Sequence, residues 1–279
     1  MKNMKKIICL ALAVMLLALC MSGCGSKETT DTKTENTGNT EAAGTTIKDL
    51  QEKGKLVIAT SPDFPPFEEL QSDGSIVGIE IDVLNLICEK LGVELVIEQM
   101  DFDSVVPGIQ AGKFDMGVSG ISVTPAREKN VLFTKPYCLA AQAIVVTADS
   151  DITCKADLEG KKVSVQTGTT AEQFCMAEGY EVLSYAANSD AELAVVNGKV
   201  DAWVIDDLTA ADMVKVYNAD HPGELVILAE AMTTEPYAFA LPFGYEDVVA
   251  ELNKIIDELI SSGMVAETFE KFDAPYTAP

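Results

Sequence analysis

Apolar residues along this chain follow two rhythms that alternate. Short apolar runs bounded by turn residues predict strands at 55–60, 93–97, 114–119, 162–166, 182–184 and 201–205. Between them, apolar positions three and four apart predict helices at 78–91, 103–111, 169–178 and 190–197. Strands alternating with helices imply parallel sheets covered by helices. Further on, residues 237–242 read as a strand. Residues 246–261 read as a strongly amphipathic helix, with Val249, Leu252, Ile256, Leu259 and Ile260 on one face. Gly263 stops it, and 264–272 form a last short helix.

The pattern also repeats. Gly112-Lys113-Phe114-Asp115-Met116 is echoed by Gly198-Lys199-Val200-Asp201-Ala202. Upstream, Gly54-Lys55-Leu56-Val57-Ile58 is echoed by Gly160-Lys161-Lys162-Val163-Ser164. Two echoes in the same order predict two similar α/β lobes with a cleft between them. The simplest topology returns the C-terminal part to the first lobe. Lobe 1 is then 46–137 with 232–279, and lobe 2 is 138–231. The chain crosses twice, near 137–141 and 231–236, as a two-strand hinge that permits closure.

Composition narrows the partners. The 279 residues are 48% hydrophobic and 23% charged, enough for two modest cores. A net charge of −24 repels phosphate backbones and anionic lipid, so no nucleic acid is expected as a partner. A metal site and catalysis by histidine are not expected, because His221 is the single histidine. No nucleotide fingerprint surrounds Gly168, and no cofactor is expected.

The N-terminus predicts export. Lys2, Lys5 and Lys6 precede an apolar run at 7–19, and Met21-Ser22-Gly23 then lead to Cys24. This resembles a lipoprotein signal peptide, 1–23, with the lipid carried by Cys24 as a membrane anchor. Residues 24–45 are rich in Thr, Glu, Asn and Gly and read as a flexible tether, whose r.m.s. reach is roughly 25 Å. Of the later cysteines, Cys88 falls at helical spacing with Ile81, Leu84 and Leu91 and reads as a buried thiol. Whether Cys154 and Cys175 pair is left open.

Ligands in such sheets sit beyond the carboxyl ends of strands. The segments there hold Ser61 and Phe64, then Gly120, Ser122 and Arg127, then Gln166 and Thr170, and finally Asp206. Thr124 and Pro125 predict a helix start, with Arg127 in its first turn, a pairing that suits a carboxylate. A surface arginine is the plainer reading. Thr169 and Thr170 open another helix as an N-cap or as N–H donors to the same anion. Asp206 ends the apolar run Trp203-Val204-Ile205 and needs a cation or strong donors. That cation is an ammonium ligand or Arg127 itself. Phe64 and Phe102 are walls of the cleft or parts of the core.

These residues also carry a resemblance. Gly78-Ile79-Glu80-Ile81-Asp82-Val83, Phe64-Pro65-Pro66-Phe67-Glu68, Met100-Asp101-Phe102, Ile121-Ser122-Val123-Thr124-Pro125-x-Arg127 and Asp201-x4-Asp206 resemble motifs of the bacterial extracellular solute-binding proteins of family 3, the amino-acid receptors of ABC importers. The resemblance runs from about residue 46 to the end. It implies a two-lobed periplasmic-binding-protein-like fold (type II), a free L-amino acid as ligand, an ABC permease as partner and a monomer. Arg127, with backbone at Ser122 and Thr170, would hold the α-carboxylate. Asp206, with the Gly120 carbonyl and Ser122, would hold the α-ammonium. Phe64 and Phe102 would stack on the side chain, and Gln166 would add a hydrogen bond. Ser61 stands where many members with basic or amide ligands have Asp, and Ile205 is another departure; both leave the side-chain preference open. The same fold also resembles that of the periplasmic cyclohexadienyl dehydratases. No dedicated general acid stands out, so an enzyme is not expected; an amino-acid sensory module is a third reading.

Overall fold

The computed structural model describes residues 44–279. The leader 1–23, Cys24 and all but the last two residues of the tether lie outside the described residues. The four cysteines of the described part are free, so Cys154 and Cys175 are not paired. Cys88 is buried in the core.

Helix α1 (Ile47–Lys53) opens the folded part and was not expected from the apolar pattern. Thr46 caps it, exchanging hydrogen bonds with Asp49 in a capping box. Strand β1 (Lys55–Thr60) follows, then a three-stranded excursion of β2 (Asp63–Phe64), β3 (Glu68–Leu70) and β4 (Ile76–Val77). Helix α2 (Ile79–Leu91), β5 (Glu94–Gln99), α3 (Phe102–Gln110), β6 (Met116–Gly117) and β7 (Leu132–Phe133) complete the first run. Strand β8 (Cys138–Ala140) leads to β9 (Gln142–Thr147) in the second lobe. There β10 (Lys162–Gln166), α4 (Thr170–Glu178), β11 (Glu181–Tyr185), α5 (Asn188–Val196), β12 (Ala202–Asp206), α6 (Asp207–Asp220) and β13 (Leu225–Ile227) follow. Strand β14 (Glu235–Tyr237) returns, and β15 (Ala240–Leu241), α7 (Glu246–Ser261) and α8 (Met264–Lys271) end the fold.

Two five-stranded sheets result, ordered β5-β1-β6-β15-β7 and β11-β10-β12-β9-β13. Each pairs three strands in parallel. Each then adds one strand that runs the other way, β15 against β6 and β9 against β12, and an edge strand, β7 or β13, antiparallel to that one and so aligned with the first three. The expected parallel sheets are therefore mixed. The reason is connectivity: β9 enters its sheet directly from the crossing strand, and β15 does the same on the way back. The crossing strands β8 and β14 pair antiparallel with each other, Tyr237 opposite Cys138.

The repeated Gly-Lys-x-Asp has a mechanical meaning. The Asp115 carboxylate accepts the Val57 N–H at 2.8 Å, and the Asp115 N–H donates to the Val57 carbonyl at 2.9 Å. In the other lobe the Asp201 carboxylate accepts the Lys162 N–H at 2.7 Å, and its own N–H donates to the Lys162 carbonyl at 2.8 Å. Both aspartates staple the N-terminal end of a central strand whose donors would otherwise go unpaired. The opposite, carboxyl ends face the cleft.

Two local expectations fail. The strand at 114–119 shortens to Met116–Gly117. No helix follows Pro125; residues 125–130 form hydrogen-bonded turns. Thr124 Oγ1 does accept the Arg127 N–H at 3.2 Å, as a cap would. The helix stops growing because Asn130 turns back on it: its Nδ2 donates to the Ala126 carbonyl at 3.0 Å and its N–H to the Arg127 carbonyl at 2.9 Å.

Candidate functional site

The cleft floor is built from acids that never reach it. Glu80, in the first turn of α2, is fully buried and accepts the Gly120 N–H at 2.9 Å as well as the Tyr137 hydroxyl. Glu68 lies beside it and accepts the Ser119 hydroxyl at 2.7 Å. Burial, and then the neighbouring Glu80, push the Glu68 carboxyl well above the carboxylate range. The pair fixes the 119–120 turn from below. Gly120 is required there: its φ is +52°, and a Cβ would come within 2.5 Å of the Phe64 ring.

Arg127 enters from the first lobe and is 7% exposed. Its guanidinium donates to the Ser122 carbonyl at 2.9 Å and, across the cleft, to the Gly168 carbonyl at 3.2 Å. It lies over the Phe102 ring, 5.4 Å from the centroid. Two of its five N–H donors are thus engaged, both by neutral carbonyls. Asp206 comes from the end of β12 in the second lobe and is also 7% exposed. It sits at the N-cap position of α6 but makes no side-chain cap bond. Its carboxylate accepts the Tyr237 hydroxyl instead. Burial, then the Glu235 charge, push this carboxyl up to about 8, against the weaker pull of the Tyr237 and Gln142 hydrogen bonds. Neither Arg127 nor Asp206 forms a salt bridge with a described residue, so the direct pairing between them does not occur.

Phe64, Phe102, Gly120, Ser122, Arg127, Gln166, Thr170 and Asp206 line one hollow together with Ser119 and Thr169. Ser61 does not. Its hydroxyl turns away to Asp63 Oδ1 at 2.9 Å, because that carboxylate needs donors where it is buried. Thr169 is the N-cap of α4, accepting the Glu172 N–H at 3.1 Å. The lobes are closed so far that the hollow measures about 10 Å³, room for about one water. A larger guest is admitted only when the lobes part.

Several residues that shape this closure were not singled out in the sequence. Glu235, on the crossing strand β14, collects hydrogen bonds from both sides of the cleft. Ser122 Oγ donates to it from the first lobe, Thr170 Oγ1 (2.7 Å) and Gln142 Nε2 (2.9 Å) from the second, and Thr233 Oγ1 (3.0 Å) from the crossing segment. A carboxylate directly before Pro236 in an otherwise apolar strand was the available signal. Asp63 forms a second tie. Its carboxylate accepts the Asn188 N–H at 2.8 Å and Gln166 Nε2 at 3.1 Å, both from the other lobe. Gln166 is consumed by this latch, since its Oε1 also accepts Asn188 Nδ2 at 3.1 Å.

Two lobes thus close over a buried guanidinium and a buried carboxyl that form no salt bridge with a described residue. The chain belongs to the bacterial extracellular solute-binding proteins, family 3, whose sequence profile matches residues 56–274. It is 33% identical over 246 residues to a "Probable histidine-binding protein" of Campylobacter jejuni, covering 87% of this chain and 91% of that one. Among solved structures it is similar to an ancestral arginine-binding protein bound to arginine (36% identity, TM-score 0.73, 78% of this chain and 98% of that one). It is also similar to the ancestral amino acid-binding protein AncCDT-1, a precursor of cyclohexadienyl dehydratase (30% identity, TM-score 0.74, 81% and 98%). The curated relatives are named as binding proteins for histidine, arginine and cystine, not as enzymes.

Proposed function

We propose that this chain is an extracytoplasmic receptor that takes one free L-α-amino acid between its lobes and presents it to an ABC permease. One observation carries the reading: Arg127 and Asp206 are buried on opposite lobes, line the same hollow and form no salt bridge among the described residues. The ligand carboxylate takes the free N–H groups of Arg127, with the backbone at Ser122 and Thr170. The ligand ammonium takes Asp206, the Gly120 carbonyl and the Ser122 oxygen. Because Ser122 Oγ gives its proton to Glu235, its lone pairs are left for an ammonium. Phe64 and Phe102 flank the side chain. Ser61 and Gln166 shape the pocket indirectly, through Asp63. Closure removes water and strengthens both ion pairs.

The N-terminal signal and Cys24 support a lipid-anchored receptor outside the cytoplasmic membrane. Among the described residues no helix is long and apolar enough to cross a membrane.

The test is a thermal-shift screen of the twenty amino acids with cystine and ornithine, followed by calorimetry on the best ligand. Arg127→Ala is expected to weaken that ligand at least tenfold, the loss of a charged hydrogen-bonding partner being worth ~1.5–3 kcal/mol. Equal affinity in the variant refutes the assignment.

A further inference from the structure

Outside the cleft, the lobes meet again along a groove of about 390 Å³ between the Asp63–Glu69 hairpin of the first lobe and α5 and α6 of the second. Its walls carry five acids, Asp63, Glu69, Glu192, Asp212 and Asp220, one imidazole, His221, stacked on Tyr217, and no lysine or arginine. Asp63 is already satisfied by the interlobe latch. The others are not equivalent. Glu192 is 9% exposed, its Oε1 is shut from solvent, and no donor among the described residues reaches that atom. A buried carboxylate oxygen without a donor is costly and unusual. Asp212 is half-buried; the Glu69 charge across the lobes opposes it, and Lys215 on its own helix offsets part of that repulsion. Met213, Val216 and Tyr217 supply an apolar wall beside these acids. Val216 is 67% exposed although apolar.

Acids on one side and alkyl surface on the other describe a complement, not a solvated face. A divalent metal does not meet that description: among the described residues no three His, Cys, Asp or Glu side chains are disposed to hold one. We infer that this groove is a second ligand site, distinct from the cleft, that binds a small alkylammonium with its charged head at Glu192 and Asp212 and its chain along Met213, Val216 and Tyr217. Both lobes line it, so the site is complete only when they are closed, and its occupant stabilises the closed form.

The test uses the full chain and 1,4-diaminobutane, titrated by calorimetry at 150 mM salt. Saturable one-to-one binding is expected, weakened about tenfold or more in Glu192→Gln and in Asp212→Asn. Glu192→Gln leaves affinity for the amino acid found in the screen unchanged. Asp206→Asn separates the two sites: it leaves diamine binding intact if the groove is the site. The inference is overturned if the diamine does not bind, if Glu192→Gln binds it equally well, or if Asp206→Asn abolishes binding, which would put the diamine in the cleft. Equal heats from tetramethylammonium, which has no N–H to donate, would reduce the effect to counterions on an acidic surface and overturn it as well.

Discussion

Asp206 makes closure of the ligand-free protein depend on pH. Its carboxyl is pushed from a usual 3.8 up to about 8 by burial first and by Glu235 second, so in the closed form it holds a proton through neutral pH. In the parted form water reaches it and the ordinary value returns. The closed form therefore binds more protons than the open one between about pH 4 and 8. Its relative stability is greatest on the acid side and is lost as pH rises through that window. Each pH unit is worth ~1.4 kcal/mol, which sets a ceiling of about 6 kcal/mol for one group across the whole window. An ammonium ligand supplies the missing charge and removes the penalty. Small-angle scattering of ligand-free protein is the direct assay: the radius of gyration is expected to grow from pH 5 to pH 9. Asp206→Asn, which cannot ionise, is expected to flatten most of that growth. Asp63, pushed up by burial in the interlobe latch, contributes to the slope that remains. If wild type and Asp206→Asn expand over the same pH range by the same amount, the reasoning about the buried acid is wrong.

Three further outcomes follow from other contacts. Gly168→Ala is expected to hinder closure, because φ is +81° and the added Cβ would meet Asp103 Cα at 3.0 Å across the cleft; ligand affinity measured by calorimetry falls at least tenfold while the far-ultraviolet circular dichroism spectrum is unchanged. Asp115→Ala strips the staple from Val57 and breaks the 2.6 Å pair with Lys53. A cost of about 2 kcal/mol lowers Tm by roughly 4–8 °C in calorimetry, whereas Asp201→Ala, whose partner strand end is exposed, costs less than half of that. Glu235→Gln removes the like charge beside Asp206, so the scattering transition moves to lower pH; an unmoved transition would deny Glu235 its influence.

The legible parts of the fold were those set by local rhythm. The strands Lys55–Thr60 and Lys162–Gln166 and the helix Glu246–Ser261 stand where the apolar pattern put them, since each is a run that buries one face and ends at a turn residue or a glycine. Helix α6 escaped notice because only Thr209, Ala210 and Val214 of its fourteen residues are buried, too few for a stripe. The antiparallel strands β9 and β15 were hidden because direction is decided by the route between lobes. In the site, Arg127 and Asp206 were visible as charges flanking apolar segments. Glu235, Asp63 and Asn188 were not, since each is defined by a partner more than sixty residues away that arrives only on closure. Ser61 was read as a wall of the pocket because nothing local revealed that its hydroxyl faces Asp63.

The two aspartate staples sit at the amino ends of the central strands, and every group that lines the hollow sits at the opposite end. Changes at the cleft end therefore leave the stapled strand ends as they are. Phe64 is the exception, because it packs on Phe67 and Tyr237 in the core, so a substitution there costs the first half stability as well as altering the hollow.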